Sequence, residues 1–560
     1  MNNIRLVVLL FGIVAFTLLS AEGFVQEDFQ EDFDEEDDSR VHPDLPLELD
    51  NKAILPEEQE TEYWMSSARN TVAEKITIHS VPNTNVAKNV IFFIGDGMSF
   101  QNVAAARMRA GNENHKLSFE KFPYFGMAKT YCVNRQVSDS ACTATAYLSG
   151  VKANYGTIGL DASVPRYDCK GQLDESHHTT GIGQWSLDAC KGIGLVTNTR
   201  ITHATPAGLF AHTADRYWEN DAEVVDDKCD SDEIDDIAEQ LVYGKVGRKI
   251  KVILGGGRKE FVNETVTDEE GAYGARHDGK NLIEEWKTER SMDGEAKYIW
   301  RKSELLGLDI ENTDYLLGLF EGDHMKYHKD AVLDPEEPTL SELVATAIKM
   351  LQKEKQGYFL FVEGGKIDVA HHESWTQRAL DETLELSNAV QLAREMTSEE
   401  DTLIVVSADH GHTLTYAGYP SRGADILGVA QNSNIDRMPF TTLSYANGGG
   451  YFNTYNELGD TRINITGLYD LSDPEFKFFA TVPLNTESHG GDDVGVYASG
   501  PWAHLFVGQY EQNILPFAMA YAAQIGYYGD EDLVCASAST LHLAVSLFSL
   551  LILHYISRFF

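Results

Sequence analysis

The sequence predicts an α/β fold: a doubly wound, mostly parallel central sheet with helices on both faces, plus an inserted surface subdomain. Two observations carry this. From residue 88 to about 411, apolar strand runs at 90–94, 193–197, 251–254, 358–362 and 403–407 alternate with helix-period patterns, as βαβ units do. Five short segments also set an acidic, His or Ser residue just past an apolar strand or at a Gly-rich turn, where open α/β sheets gather their sites.

The chain is 560 residues long, 43% hydrophobic and 24% charged, enough for a large globular core in one or two domains. Its net charge of −42 argues against nucleic acid as a partner, because phosphate backbones need a basic footprint. The acidity itself reads as a solvated surface.

Along the chain, Ile4-Arg5 leads into an apolar run at 6–19 and then Ser20-Ala21-Glu22-Gly23. Residues 1–22 therefore read as a secretory signal peptide. Residues 23–56 read as a disordered acidic segment, with nine carboxylates between Glu27 and Asp38. Residues 57–76 read as an amphipathic helix with Trp64, Ala68, Val72 and Ile76 on one stripe. Such a stripe packs on its own core or forms a dimer arm.

The catalytic domain is expected over 77–530. Helices are expected at 340–353 and 374–396, the second opened by a capping box of Ser374 and Gln377. Residues 419–483 break into Gly- and Asn-rich turns such as Asn447-Gly448-Gly449-Gly450 and read as the inserted subdomain. Regularity returns with a strand at 494–498 and a last helix at 515–525. Gly255-Gly256-Gly257-Arg258-Lys259 lacks the Walker spacing and reads as a turn after a strand.

Residues 531–560 read as a GPI-attachment signal. Cys535-Ala536-Ser537-Ala538-Ser539 are small, and an apolar tail follows at 543–560. Cys535 is the attachment candidate. A membrane span, the rival reading, would leave a basic cytoplasmic flank, and only Arg558 is available. The expected location is the extracellular face of the cell membrane. Six cysteines in a secreted chain allow disulfides. If Cys535 is modified, five remain and one is left over. Asn263 and Asn464 begin N-glycosylation sequons.

Ser140, in Asp139-Ser140-Ala141, stands at an expected helix start. It reads either as an N-cap or as a nucleophile placed where backbone N–H groups welcome an anion. Asp368 and His372 are four apart, a spacing that aims a carboxylate and an imidazole at one ion. Asp409-His410 follows a strand directly. With these metal-type clusters elsewhere, the nucleophile reading of Ser140 is preferred.

The segments Lys88 to Met98, Asp139-Ser140-Ala141 with Thr143-Ala144-Thr145-Ala146, Val362 to Asp368 with His371-His372, Ala408-Asp409-His410 and Ser488-His489-Gly490-Gly491 closely resemble animal alkaline phosphatases. The resemblance runs in order from about residue 57 to 525. It implies hydrolysis of phosphate monoesters by a homodimer through a phosphoserine at Ser140. It implies one zinc on Asp368, His372 and His489, and a second on Asp96, Asp409 and His410 with the Ser140 oxygen. It implies a magnesium on Asp96, Thr205 and Glu363, with His203 behind it. Arg216 is implied to clamp the phosphate, and His412 to lie beside the first zinc. A calcium ion is implied on Glu321, Asp334 and the Phe320 carbonyl, completed by Glu269, with Glu270 as the alternative. Mixed His and carboxylate sets suit zinc, and all-oxygen sets suit magnesium or calcium.

By the same resemblance Cys169 pairs with Cys229. Three features depart from the family. Val369 stands where His or Lys is usual, beside the magnesium and phosphate surroundings. Cys142 replaces Gly and reads as a small buried thiol. A second disulfide near the C-terminus is missing. Other readings are a sister sulfatase or phosphodiesterase, whose motifs do not match, and a catalytically silent GPI-anchored binding protein that keeps the fold.

Overall fold

The main sheet is built from β1 (Asn89–Gly95), β2 (Tyr124–Lys129), β3 (Gly192–Arg200), β4 (Val252–Gly256), β5 (Ala296–Ile299), β6 (Tyr315–Leu319), β7 (Tyr358–Gly364), β8 (Thr402–Ala408), β9 (Val494–Ser499) and β10 (Gly508–Glu511). They lie in the order β10-β2-β9-β8-β1-β7-β3-β4-β6-β5. The computed structural model describes residues 56–59 and 61–529. All pairs in this sheet are parallel except those of β9, which runs antiparallel to β2 and β8. This is the predicted fold class.

The centre of the sheet explains the apolar runs. β1 reads NVIFFIG with six of seven residues buried, and β7 and β8, its two neighbours, are buried throughout. Strands covered on both faces have no solvent side to make polar. Two helix layers cover them. Leu340–Leu351 and Thr376–Met396 pack on each other and on the central strands. Ser140–Ser149, Ala204–Ala207 and Leu515–Ala523 form the other group, with Ser140–Ser149 buried along its whole length.

Phe361 of β7 is 0% exposed and lies 5.7 Å from the ring of Phe92 and 6.1 Å from that of Tyr147. Phe361→Ala is therefore expected to cost about 3–5 kcal/mol, read as a lowered denaturation midpoint.

Several elements differ from expectation. The candidate strands all form but run further, β3 by three residues to Arg200. The helix expected from 374 begins at Thr376, with Trp375 at its N-cap and no side-chain cap. Ser374 instead adopts φ 60°. It donates its N–H to the His371 carbonyl at 2.8 Å, and Trp375 does the same to Ala370, so both residues turn the chain back onto the preceding helix. Capping boxes form at Thr339 with Glu342 and at Asp236 with Glu239.

The N-terminal helix spans Thr61–Ser80, later at both ends than 57–76. Its stripe does not pack on the core: Trp64, Val72 and Ile76 are exposed. Between Leu414 and Pro483 the chain leaves the main sheet. There Leu414–Tyr416, Leu443–Gly448 and Ala480–Pro483 make a three-stranded sheet, and Val429–Asn432 pairs with Pro439–Thr441. Residues 1–55 and 530–560, with the signal peptide, nearly all of the acidic segment and the attachment signal including Cys535, lie outside the described residues. No described helix is long and apolar enough to cross a membrane.

Candidate active site

The site lies at the carboxyl ends of the three central strands. Asp96 follows β1, Asp409 follows β8, and Glu363 is the penultimate residue of β7, in register with Ile94. All three are 0% exposed. The helix Lys366–His372, immediately after β7, brings Asp368 and His372 onto one side. A tight turn follows β1: Gly97 has φ +70°, and a Cβ there would sit 2.4 Å from the His412 ring. The Gly97 N–H donates to Asp409 Oδ1 at 2.9 Å, which ties the ends of β1 and β8 together.

Ser140 is the first residue of its helix. Asp139 is the N-cap, its carboxylate accepting from the Cys142 N–H, so Ser140 is not the cap. The Ser140 hydroxyl donates to Asp96 Oδ2 at 3.3 Å and lies 3.2 Å from His410 Nε2. His410 Nε2 is also 3.0 Å from Asp409 and 3.5 Å from Asp96. The predicted second-zinc residues thus converge on the predicted nucleophile.

A second group converges on Asp368 Oδ1, which lies 3.4 Å from His372 Nε2, 3.3 Å from His489 Nε2 and 2.7 Å from His412 Nε2. His489 is aimed by the Ser138 carbonyl at 2.8 Å from its Nδ1. The third group is Asp96, His203 and Glu363, each with a ligand atom within 4.8 Å of the others. Thr205 joins it by donating to Asp96 Oδ2 at 3.4 Å. Arg216 donates to Asp139 Oδ2 at 3.0 Å and lies 3.3 Å from His203 Nε2, which leaves its guanidinium beside Ser140's helix start.

The electrostatics favour cations here. Burial first, then the charges of Asp409, Asp368 and Glu363, push Asp96 well above the usual carboxylate range. Burial pushes Glu363 up to about 7, against hydrogen bonds from Thr197 and Thr199. Burial would raise Asp368 too, but the His372 charge and hydrogen bonds from His412 and His489 hold it well below its ordinary value. Burial, then Arg216, keeps His203 neutral. Glu363 Oε1 and His203 Nδ1 are buried with no hydrogen-bond partner among the described residues. Buried polar atoms are seldom left so, and both belong to the predicted magnesium group. The residues therefore fit metal ions.

Glu487 stands in one of the five segments without a role, and Thr197, Asn198 and Thr199 are not read as site residues from the sequence. Glu487 accepts from the Thr413 N–H at 2.7 Å and from His412 Nδ1, while its carbonyl faces His372 Nδ1. Against the opposing effect of burial, Glu487 and Asp368 push His412 up to about 10. Thr197 and Thr199 hold Glu363 Oε2, and Asn198 Oδ1 accepts from the Gly365 and Lys366 N–H groups. Glu487→Gln is expected to lower kcat/KM by about 10–100-fold with little loss of stability, since such supporting shells carry that weight. Zinc titration of the variant checks it.

The calcium candidates are only partly assembled. Glu321 and Asp334 share Lys326, at 2.9 and 2.6 Å. Glu269 faces Arg258 and Tyr298, at 3.6 and 3.5 Å. Burial raises the Glu270 carboxyl, opposed by the Arg258 charge and helped by that of Glu321. Val369 packs with Tyr327, Ala370 and Trp375 in a small apolar cluster, so it offers no polar group. Asn464 is exposed, while the Asn263 amide donates to the Arg276 carbonyl at 3.0 Å.

Cys169 and Cys229 form the expected disulfide. Cys142 is not a thiol: it is bonded to Cys132, which a reading along the chain could not pair, because the loop between them folds back to a 5.7 Å Cα separation. No described cysteine is free, so the expected leftover thiol is not found.

The alkaline phosphatase family model matches residues 87–525. The membrane-bound alkaline phosphatase of Bombyx mori is 45% identical over 509 residues, covering 89% of this chain and 91% of that one. The tissue-nonspecific isozyme of Homo sapiens is 44% identical over 492 residues, covering 85% and 91%. Among solved structures, the Thermus thermophilus alkaline phosphatase has a TM-score of 0.56 at 20% identity, over 83% of this chain and 96% of its own. That of the Antarctic bacterium TAB5 has 0.54 at 19%, over 79% and 99%. These two show a shared fold. The match along most of the length agrees with a serine hydroxyl set among converging carboxylates and imidazoles: the chain belongs to the alkaline phosphatase family and is a metal-dependent phosphoric monoester hydrolase.

Proposed function

We propose that the chain hydrolyses phosphate monoesters to an alcohol and inorganic phosphate through a phosphoserine on Ser140, with two zinc ions and one magnesium ion in the site. Asp368, His372 and His489 would hold one zinc, and Asp96, Asp409 and His410 the other. Asp96, Thr205 and Glu363 would hold the magnesium, with His203 beside it. When bound, the ions supply Lewis-acid stabilisation of the attacking and leaving oxygens.

The observation that carries the reading is the setting of Ser140, at a helix start with Asp96 and His410 on its hydroxyl and Arg216 alongside. Arg216 presents a planar fork to two phosphate oxygens, held in place by Asp139. The first-turn N–H groups favour the anion. Ser140 Oγ attacks phosphorus after losing its proton, the P–O ester bond breaks, and the alcohol departs with a proton. Water then attacks the same phosphorus, the Oγ–P bond breaks, and phosphate leaves while Ser140 regains its proton.

The exposed stripe of the Thr61–Ser80 helix supports a homodimer arm. The small-residue stretch at 535–539 and the name of the Bombyx mori relative support a GPI anchor on the outer cell surface. Glycans on Asn263 and Asn464 and a calcium ion at Glu321 and Asp334 belong to the same reading. Zinc- and magnesium-loaded protein is expected to hydrolyse p-nitrophenyl phosphate at alkaline pH with inhibition by inorganic phosphate. Inert, folded, fully metallated protein would overturn the proposal.

A further inference from the structure

We infer that the Cys132–Cys142 disulfide is a positioning element of the active site, holding the phosphate-binding guanidinium in register with the nucleophile. The inference rests on the proposed phosphatase reading and adds a part to it. The bridge joins two buried cysteines, each 2% exposed. One lies at the start of an irregular loop and the other in the first turn of the Ser140 helix, two residues past the nucleophile.

The loop between them is exposed from Val133 to Val137, and its start is held by the Val133 N–H donating to the Ala153 carbonyl at 3.0 Å and the Tyr155 N–H donating to Asn134 Oδ1 at 2.9 Å. Its inner end touches three parts of the site. The Ser138 carbonyl orients His489 at 2.8 Å. Asp139 Oδ2 accepts from Arg216 Nη1 at 3.0 Å, and Asp139 Oδ1 accepts from the Gly156 N–H at 3.1 Å. Gly156 in turn accepts from the Arg216 N–H at 2.9 Å. One carboxylate thus fixes both the side chain and, through Gly156, the backbone of Arg216. Asp139 is itself 0% exposed and caps the Ser140 helix; the bridge ties the exposed loop to that same first turn, with Cys132 Sγ 3.8 Å from Asp139 Oδ1, and so fixes where the loop meets that carboxylate.

The Cys169–Cys229 bridge is the internal comparison. It spans 60 residues against 10 and sits in a separate apolar cluster with Trp218. Chain entropy makes the longer loop the larger contributor to global stability. A purely structural account therefore predicts the smaller effect from opening Cys132–Cys142.

The test compares the metal-loaded double variants C132S/C142S and C169S/C229S by inorganic phosphate binding in calorimetry, kcat, KM and melting temperature. Opening Cys132–Cys142 is expected to weaken phosphate binding and lower kcat/KM by roughly tenfold to a hundredfold, the scale of a small misplacement, at a modest cost in melting temperature. Opening Cys169–Cys229 is expected to lower the melting temperature and leave phosphate binding unchanged. Unchanged phosphate binding in C132S/C142S overturns the inference. If that variant does not fold, wild type is partly reduced with a phosphine in zinc and magnesium, alkylated and mapped. Phosphate affinity must then fall in step with opening of Cys132–Cys142, and full opening with unaltered affinity overturns it. Phosphate binding is read without turnover, so an inert wild type would count against the phosphatase reading and not against the bridge.

Discussion

Ser140→Ala is expected to abolish turnover while leaving the fold intact. The two effects separate because Asp139, not Ser140, caps the helix. The substitution removes one hydroxyl, and its partner His410 stays beside Asp96 and Asp409. Stability should change by no more than about 1 kcal/mol, read from thermal unfolding. Activity should fall roughly 10³-fold or more, as for other nucleophiles acting within a catalytic unit. Phosphate should still bind, because Arg216 and Asp139 are untouched. A variant with near-normal kcat would remove Ser140 from the mechanism.

Stripping the metals is expected to cost both activity and stability. Asp96, Glu363 and Asp409 are 0% exposed and Asp368 is 5% exposed, and their mutual charge raises Asp96 after burial has done so. Bound cations would balance these four buried carboxylates. Ligand binding to the folded state alone adds about 4 kcal/mol at a thousandfold excess over Kd. Chelation should therefore lower the melting temperature by several degrees and abolish hydrolysis, with zinc and magnesium together restoring both. A melting curve that does not move on complete chelation would contradict the metal assignment.

The convergence of the candidate site was legible where it follows from a residue's place in the chain. Asp96 and Asp409 stand directly after apolar strands, and a parallel sheet puts such positions at its carboxyl edge. Asp368 and His372 are one helical turn apart, so their convergence is local. Glu487 was not legible, because its contact with His412 crosses 75 residues. Asp139 was named only as part of a motif, since its pairing with Arg216 crosses 77 residues. The capping box at Ser374 failed for a related reason. Its spacing is right, but contacts to the preceding helix impose a left-handed turn there, and tertiary context overrode a local signal. Cys132 and Cys142 paired for the same kind of reason: the fold of the intervening loop decides, not the spacing.

The most direct test of the central claim is an acid quench of metal-loaded protein during hydrolysis of a phosphate monoester, followed by peptide mass spectrometry. The account predicts phosphate on the peptide containing Ser140 and none in Ser140→Ala. Sustained turnover by wild type with Ser140 never phosphorylated, or with phosphate found on another residue, would contradict it.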